Sequence, residues 1–317
     1  MTPLHENTYI AMSLMIISAA LLALGAYFAN FLLPIIGVAL LIWARFIGCA
    51  LVMWWTTLMI KPQQLLPNEW TPLLLRTVFA LTAQYFFYLS LSAGSILLSI
   101  LFFNTSPLFL PFIRKFVNHQ KIHLRVWVCI SISFIGVILV LSQGLAFASL
   151  MALFGLIAGF LNACSQVVLH QASQKEDPFT LNLWIYTLGA VVSSFSLIFI
   201  AHLGNKFEQI YQSGMLSWAL ILIIIIGVSV QVIRSKAYTC IKEPSVIAPG
   251  MYAAIIISAL LDWYATGALP SITAWFGILL ICGASIYLTI KSKNKNDHPI
   301  AIYKSHAKYN KEYTVFN

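Results

Sequence analysis

The sequence has little charge of either sign and very little acid. Of 317 residues only 9% are charged, against about a quarter in an ordinary soluble domain, and Asp and Glu together number 9. With 60% hydrophobic residues, no soluble core could hide the apolar surface. Cysteine is sparse as well. Cys49, Cys129, Cys164, Cys240 and Cys282 all fall in apolar runs, without Cys-x-x-Cys spacing or a nearby His cluster, which argues against disulfides and metal sites. Also missing are a Gly-x-x-x-x-Gly-Lys phosphate loop, a His-Glu-x-x-His pair, paired aspartates and a Gly-x-Ser-x-Gly elbow. These absences speak against direct ATP use and against an enzyme, and no cofactor is expected.

What is present is a succession of apolar runs, each about 20 residues long, enough to cross a hydrocarbon core of about 30 Å. Breaking the chain at polar and proline-containing stretches predicts spans at 11–30, 35–60, 72–92, 96–116, 124–143, 148–172, 179–202, 216–241, 245–268 and 271–290. Loops begin or end at Pro34, Pro62, Pro67, Pro178, Pro244 and Pro270. The first run has no Lys or Arg before it and more spans after it, so it reads as a retained span rather than a signal peptide. Residues 291–317 form a basic, lysine-rich tail with the composition of a disordered cytoplasmic segment.

The formal charge of +9 does not form a basic stripe among aromatics, so nucleic acid is not an expected partner. Its distribution speaks of topology. With the amino terminus inside, the inner connections and adjoining span ends hold Lys61, Arg76, Arg114, Lys115, Lys121, Arg125, Lys175, Lys236, Lys242 and the tail lysines, while the outer ones hold only Lys206. The positive-inside rule then predicts a multi-pass protein of the plasma (inner) membrane with both termini cytoplasmic.

Shifting the chain by about 149 residues sets Tyr88–Val140 against Ala237–Thr289, with agreement in pattern more than identity. The expected fold class is therefore an all-α polytopic membrane protein: ten transmembrane helices as two inverted five-helix repeats, at 11–143 and 148–290. Halves with an odd number of spans lie in opposite orientations, as in many secondary transporters.

Three local patterns carry a family likeness: Arg45-Phe46 in the second span after Pro34, Ser106-Pro107-Leu108-Phe109 in the fourth, and Ala248-Pro249-Gly250-Met251-Tyr252 in the ninth. In this order the chain resembles the ten-helix EamA-type members of the drug/metabolite transporter superfamily, from about residue 11 to 290. The resemblance implies secondary transport of a small organic metabolite, such as an amino acid or a nucleoside-like compound of the S-adenosylmethionine kind. Gln120 and Leu269 stand where the family often carries acids, a departure that bears on substrate subclass. A channel, a membrane-embedded binding or scaffold protein and a membrane enzyme are the competing classes. The expected partners are a small-molecule substrate and the lipid bilayer, with the chain a monomer or homodimer.

Arg45 lies about ten positions into its span, roughly 15 Å deep, where a charge costs about 2.5–3.5 kcal/mol unless it faces a cavity or partner. It is either an anchor for a substrate carboxylate or phosphate or a post that bonds backbone carbonyls. Asp262, the one carboxylate inside a span, is either a site of proton coupling or a structural partner. Gln84 and Tyr88, Asn162 and Gln166, and Gln231 and Tyr238 share helix faces by spacing, and Asn104 and Tyr252 add further polar groups. They either line a substrate cavity between the halves or glue helices together. Trp184, Tyr85 and Trp263 are candidate aromatic walls, or else packing and interface anchors. Arg234, near an inner span end, reads as a snorkelling side chain. His119, His123 and His170 are assigned no role, and Gly155 with Gly159 predicts close helix packing within the bundle.

Overall fold

The computed structural model describes residues 8–60, 65–92, 95–106, 108–109, 113, 124–141, 146–199, 203–241, 247–267 and 271–293, and these are helical with short connections. The helices are α1 (Thr8–Ile36), α2 (Val38–Ile60), α3 (Trp70–Leu91), α4 (Ile96–Phe103), α5 (Leu124–Leu141) and α6 (Ala146–Ser173). They are followed by α7 (Pro178–Ser194) with a 3₁₀ extension (Phe195–Phe199), α8 (Leu203–Gln212), α9 (Gly214–Thr239), a 3₁₀ turn (Ala248–Tyr252), α10 (Ala253–Thr266) and α11 (Ile272–Lys293).

Among the described residues, 6 helices are long and apolar enough to cross a membrane: those over Tyr9–Ile36, Val38–Ile60, Trp70–Leu91, Leu153–Ser173, Pro178–Ile198 and Gly214–Thr239. Shorter apolar helices run over Gly250–Ala265 and Ile272–Ala284. Large apolar side chains such as Leu51, Trp55, Val78, Trp218, Ile256 and Tyr264 face outward, as a lipid solvent requires. The chain is a multi-pass membrane protein.

Local chemistry moves several predicted boundaries. Pro34 does not end the first helix, because α1 runs through it to Ile36. The break falls at Gly37, whose φ of 80° suits a residue without a Cβ, and α2 begins at the next residue. Arg45 is thus seven residues into α2, about 10 Å rather than 15 Å from its start. The fourth predicted span is helical over Ile96–Phe103, turns at Asn104 and is helical again at the described residues 106, 108–109 and 113, and the ninth enters through the 3₁₀ turn before α10. Helix α8 occupies the stretch between the seventh and eighth predicted spans; it is strongly amphipathic and largely exposed.

Packing partners come in matched pairs. Helix α1 packs on α9 and α10, while α6 packs on α3 and α4. Helix α2 meets α7, and α5 meets α11; α2 also touches α9, while α7 touches α3. Exchanging α1 with α6, α2 with α7, α3 with α9, α4 with α10 and α5 with α11 maps this set onto itself.

The pairs are close where residues are small. Gly155 and Gly159 on α6 face Phe102 on α4, so the Gly-x-x-x-Gly spacing serves packing inside the bundle. Indole donors stitch α2 to α7: Trp43 Nε1 donates to Ser194 Oγ at 3.0 Å and Trp54 Nε1 to Thr187 Oγ1 at 3.1 Å. At one end of the bundle, Glu176 accepts from the backbone N–H of Asn68 (2.7 Å) and Glu69 (3.1 Å) and from Asn68 Nδ2 (3.0 Å). It thereby satisfies donors ahead of α3 and ties that helix to the α6–α7 connection. Replacing Glu176 by alanine leaves these donors without their acceptor and is expected to cost about 1–3 kcal/mol, read as a lower melting temperature in detergent.

Candidate substrate site

The face of α9 that carries Gly227, Gln231, Arg234 and Tyr238 follows helical spacing i, i+4, i+7 and i+11, which aligns the four along one side. Arg234 is 3% exposed and Tyr238 4%. Opposite them, α3 presents Arg76, which is 1% exposed and donates from Nη2 to Gln231 Oε1 at 3.1 Å. Arg76 Nε and Nη1 and Arg234 Nε are buried without a hydrogen-bond partner among the described residues. The two guanidinium groups are near enough to repel each other.

Further along the same column, α2 supplies Arg45 and Cys49, α3 supplies Tyr88 and α7 supplies Tyr186. Arg45 Nη1 donates to Tyr88 Oη at 2.7 Å, with its guanidinium carbon 5.9 Å from the ring centre. Tyr186 Oη donates to the Gly227 carbonyl at 2.8 Å, and Cys49 Sγ to the Ile224 carbonyl at 3.4 Å. Tyr186 thus bonds the backbone of the same Gly227 against which Arg45 packs. Gly227 leaves room for Arg45: a Cβ there would stand 3.1 Å from Arg45 Nε. Beside Arg45 is a small gap of about 10 Å³, bounded by Leu22, Gly25, Phe87, Tyr88, Ile223 and Gly227.

Arg234 therefore does not snorkel, and Arg76 is not a loop-edge cation; both turn into the protein. Sequence reasoning missed this pair because each lies within about two turns of a helix end, where a charge ordinarily reaches the interface. A signal was available, since Arg234 falls midway between Gln231 and Tyr238, already recognised as sharing a face.

The other candidates fall into separate groups. Asn162 Nδ2 donates to Ser106 Oγ at 3.3 Å and Gln166 Nε2 to Asn162 Oδ1 at 3.1 Å, forming a buried amide chain between α4 and α6. Asn104 is fully buried, its amide unpartnered among the described residues. Gln84 is half-buried on α3. Tyr252 is buried at the 3₁₀ turn preceding α10. Trp184 donates to the Leu65 carbonyl at 2.7 Å and stacks edgewise on Trp54 and Trp70, away from the arginines' hydrogen bonds. Tyr85 is half-buried and Trp263 is exposed. Asp262 on α10 accepts from Ser95 Oγ at 3.1 Å and from the Ile96 N–H at 3.3 Å, at the start of α4. A carboxylate there complements the free N–H groups of the helix start. Pro107, Gln120 and Leu269 lie outside the described residues.

A bundle of apolar helices closed around buried cationic and hydroxyl groups defines a membrane protein with an internal polar site. Residues 9–142 match the EamA-like transporter family, in the drug/metabolite transporter superfamily, a stretch that holds the first two of the three sequence patterns. No curated protein sequence matches. Among solved structures, one titled "Crystal structure of protein" is similar at a TM-score of 0.63 with 14% identity, covering 91% of this chain and 99% of that one. At that identity the likeness shows the fold alone.

Proposed function

We propose that the chain is a secondary active transporter that moves a small organic solute across the plasma (inner) membrane by alternating access, with both termini cytoplasmic. The observation that carries this reading is the matched packing of α1–α5 against α6–α11, with the Arg45–Arg76–Arg234 column where the two sets meet. It supports two inverted repeats that rock about a shared site, the arrangement by which transporters expose one site to either side in turn. The EamA-like match over residues 9–142 supports the same class. The gap beside Arg45 is far too small for a standing pore, which favours a carrier.

The test is solute counterflow in proteoliposomes. Saturable exchange is the expected result; non-saturating conductance would put a channel in its place. Asp262, engaged at the start of α4, is read as a structural post. Asp262→Asn should keep saturable flux and any dependence on an imposed pH gradient, with a modest fall in melting temperature. Loss of the gradient dependence alone would make this carboxylate the coupling site.

A further inference from the structure

Three guanidinium groups share the interior of this bundle, and no carboxylate among the described residues pairs with any of them. An isolated buried cation is costly in lipid, and two within range of mutual repulsion are costlier. Proteins ordinarily answer such charges with acids, and this one has acids to spare elsewhere: Glu176 and Asp262 bind backbone N–H groups, and Glu69 pairs with Lys175 at 2.7 Å. Among the described residues the groups that hydrogen-bond the column's guanidinium groups are neutral: the Gln231 side-chain oxygen and the Tyr88 hydroxyl. No group among the described residues supplies the compensating charge, and a bound anion would.

The donor set specifies what fits. Guanidinium groups offer planar forks matched to carboxylate and phosphate oxygens, and tyrosine hydroxyls donate to the same oxygens. Among the described residues the column holds no carboxylate to pair with an ammonium or sulfonium ion, which would also meet the guanidinium charges. We infer that the transported solute is a small organic anion carrying two or more negative charges, a phosphate monoester or a di- or tricarboxylate, held between Arg76 and Arg234 with Arg45 at its far end. This rests on the transporter reading above and names its substrate class. A cation of the S-adenosylmethionine kind would meet three like charges, and a neutral amino acid would leave its ammonium unanswered.

The experiment uses the full chain with glycerol 3-phosphate, succinate, citrate, lactate, glutamine and S-adenosylmethionine, each measured for thermal stabilisation in detergent and for counterflow in proteoliposomes. Multiply charged anions should stabilise and exchange, the phosphate ester and the carboxylates separating the two chemistries. Arg76→Gln and Arg234→Gln should weaken their binding about 10- to 100-fold, the loss expected for a charge-assisted hydrogen bond. They should also move the preference toward lactate, a change in charge selectivity that mere loosening of the fold would not produce. Arg76→Lys, which keeps the charge and loses the fork, should recover part of the loss. Exchange of glutamine or S-adenosylmethionine without any anion binding would overturn this inference and leave the transporter reading standing. Anion binding with no flux would leave the charge assignment and overturn transport. Absence of both would overturn both.

Discussion

Arg45→Ala is expected to cut saturable flux about 10- to 100-fold while the protein still folds. The argument lies in what Arg45 does in the closed state. Its one hydrogen bond among the described residues is to Tyr88 Oη, and its Nε and Nη2 lie against Gly227, beside the small gap that Phe87 and Ile223 help to line. Removing the side chain takes a charge out of an apolar interior, so the native state gives up a costly group along with a hydrogen bond, and melting should change little. Flux, by contrast, loses an oxyanion donor of the strength quoted for charged pairs, about 1.5–3 kcal/mol. Tyr88→Phe removes only the acceptor and leaves the cation, so its effect on flux should be several-fold at most. Counterflow and detergent melting on both variants check this. Normal transport by a folded Arg45→Ala protein would take the residue out of the mechanism and return it to the role of a structural post.

Gly159→Ala should have the largest effect on stability. An added Cβ would lie 2.5 Å from the Phe102 carbonyl oxygen and 2.8 Å from Thr105 Oγ1. The first is backbone and cannot rotate away, and the second is fixed by its own bond to that carbonyl at 2.6 Å. Helices α4 and α6 must therefore separate, at a cost of about 1–3 kcal/mol. Gly214→Ala is the control, since nothing lies within 4 Å of its added carbon. If the two variants melt alike, the close approach of α4 to α6 is wrong.

Much of this architecture was legible because burial in lipid needs long apolar runs, and such runs are visible without knowing what they touch. The extents of α2, α3, α6 and α9 fall within a few residues of those read from hydropathy. Facing was harder. Helix α9 is apolar nearly all round, so periodicity gives little guidance to which side turns inward, and the inward side is announced only by Gly227, Gln231, Arg234 and Tyr238 together. Charges near helix ends misled most: Arg76 and Arg234 read as interface residues from depth alone, whereas both are buried and Arg76 reaches from α3 to Gln231 on α9. Backbone breaks were also hidden. Pro34 looked like a stop, but proline in a last turn is tolerated when the chain turns at the glycine beyond it. The short α4 and the 3₁₀ entry to α10 sit in sequence as apolar as any span, so hydropathy ran straight through them.

The joint between α1 and α2 has a mechanical meaning. Gly37 is the only residue between them, and Lys206 Nζ holds the Ile36 carbonyl at 3.0 Å, so the corner has no slack and is gripped from α8. Since α1 lies on α9 and α10, and α2 on α7, this one-residue corner is the shortest covalent link between those two seams of the bundle.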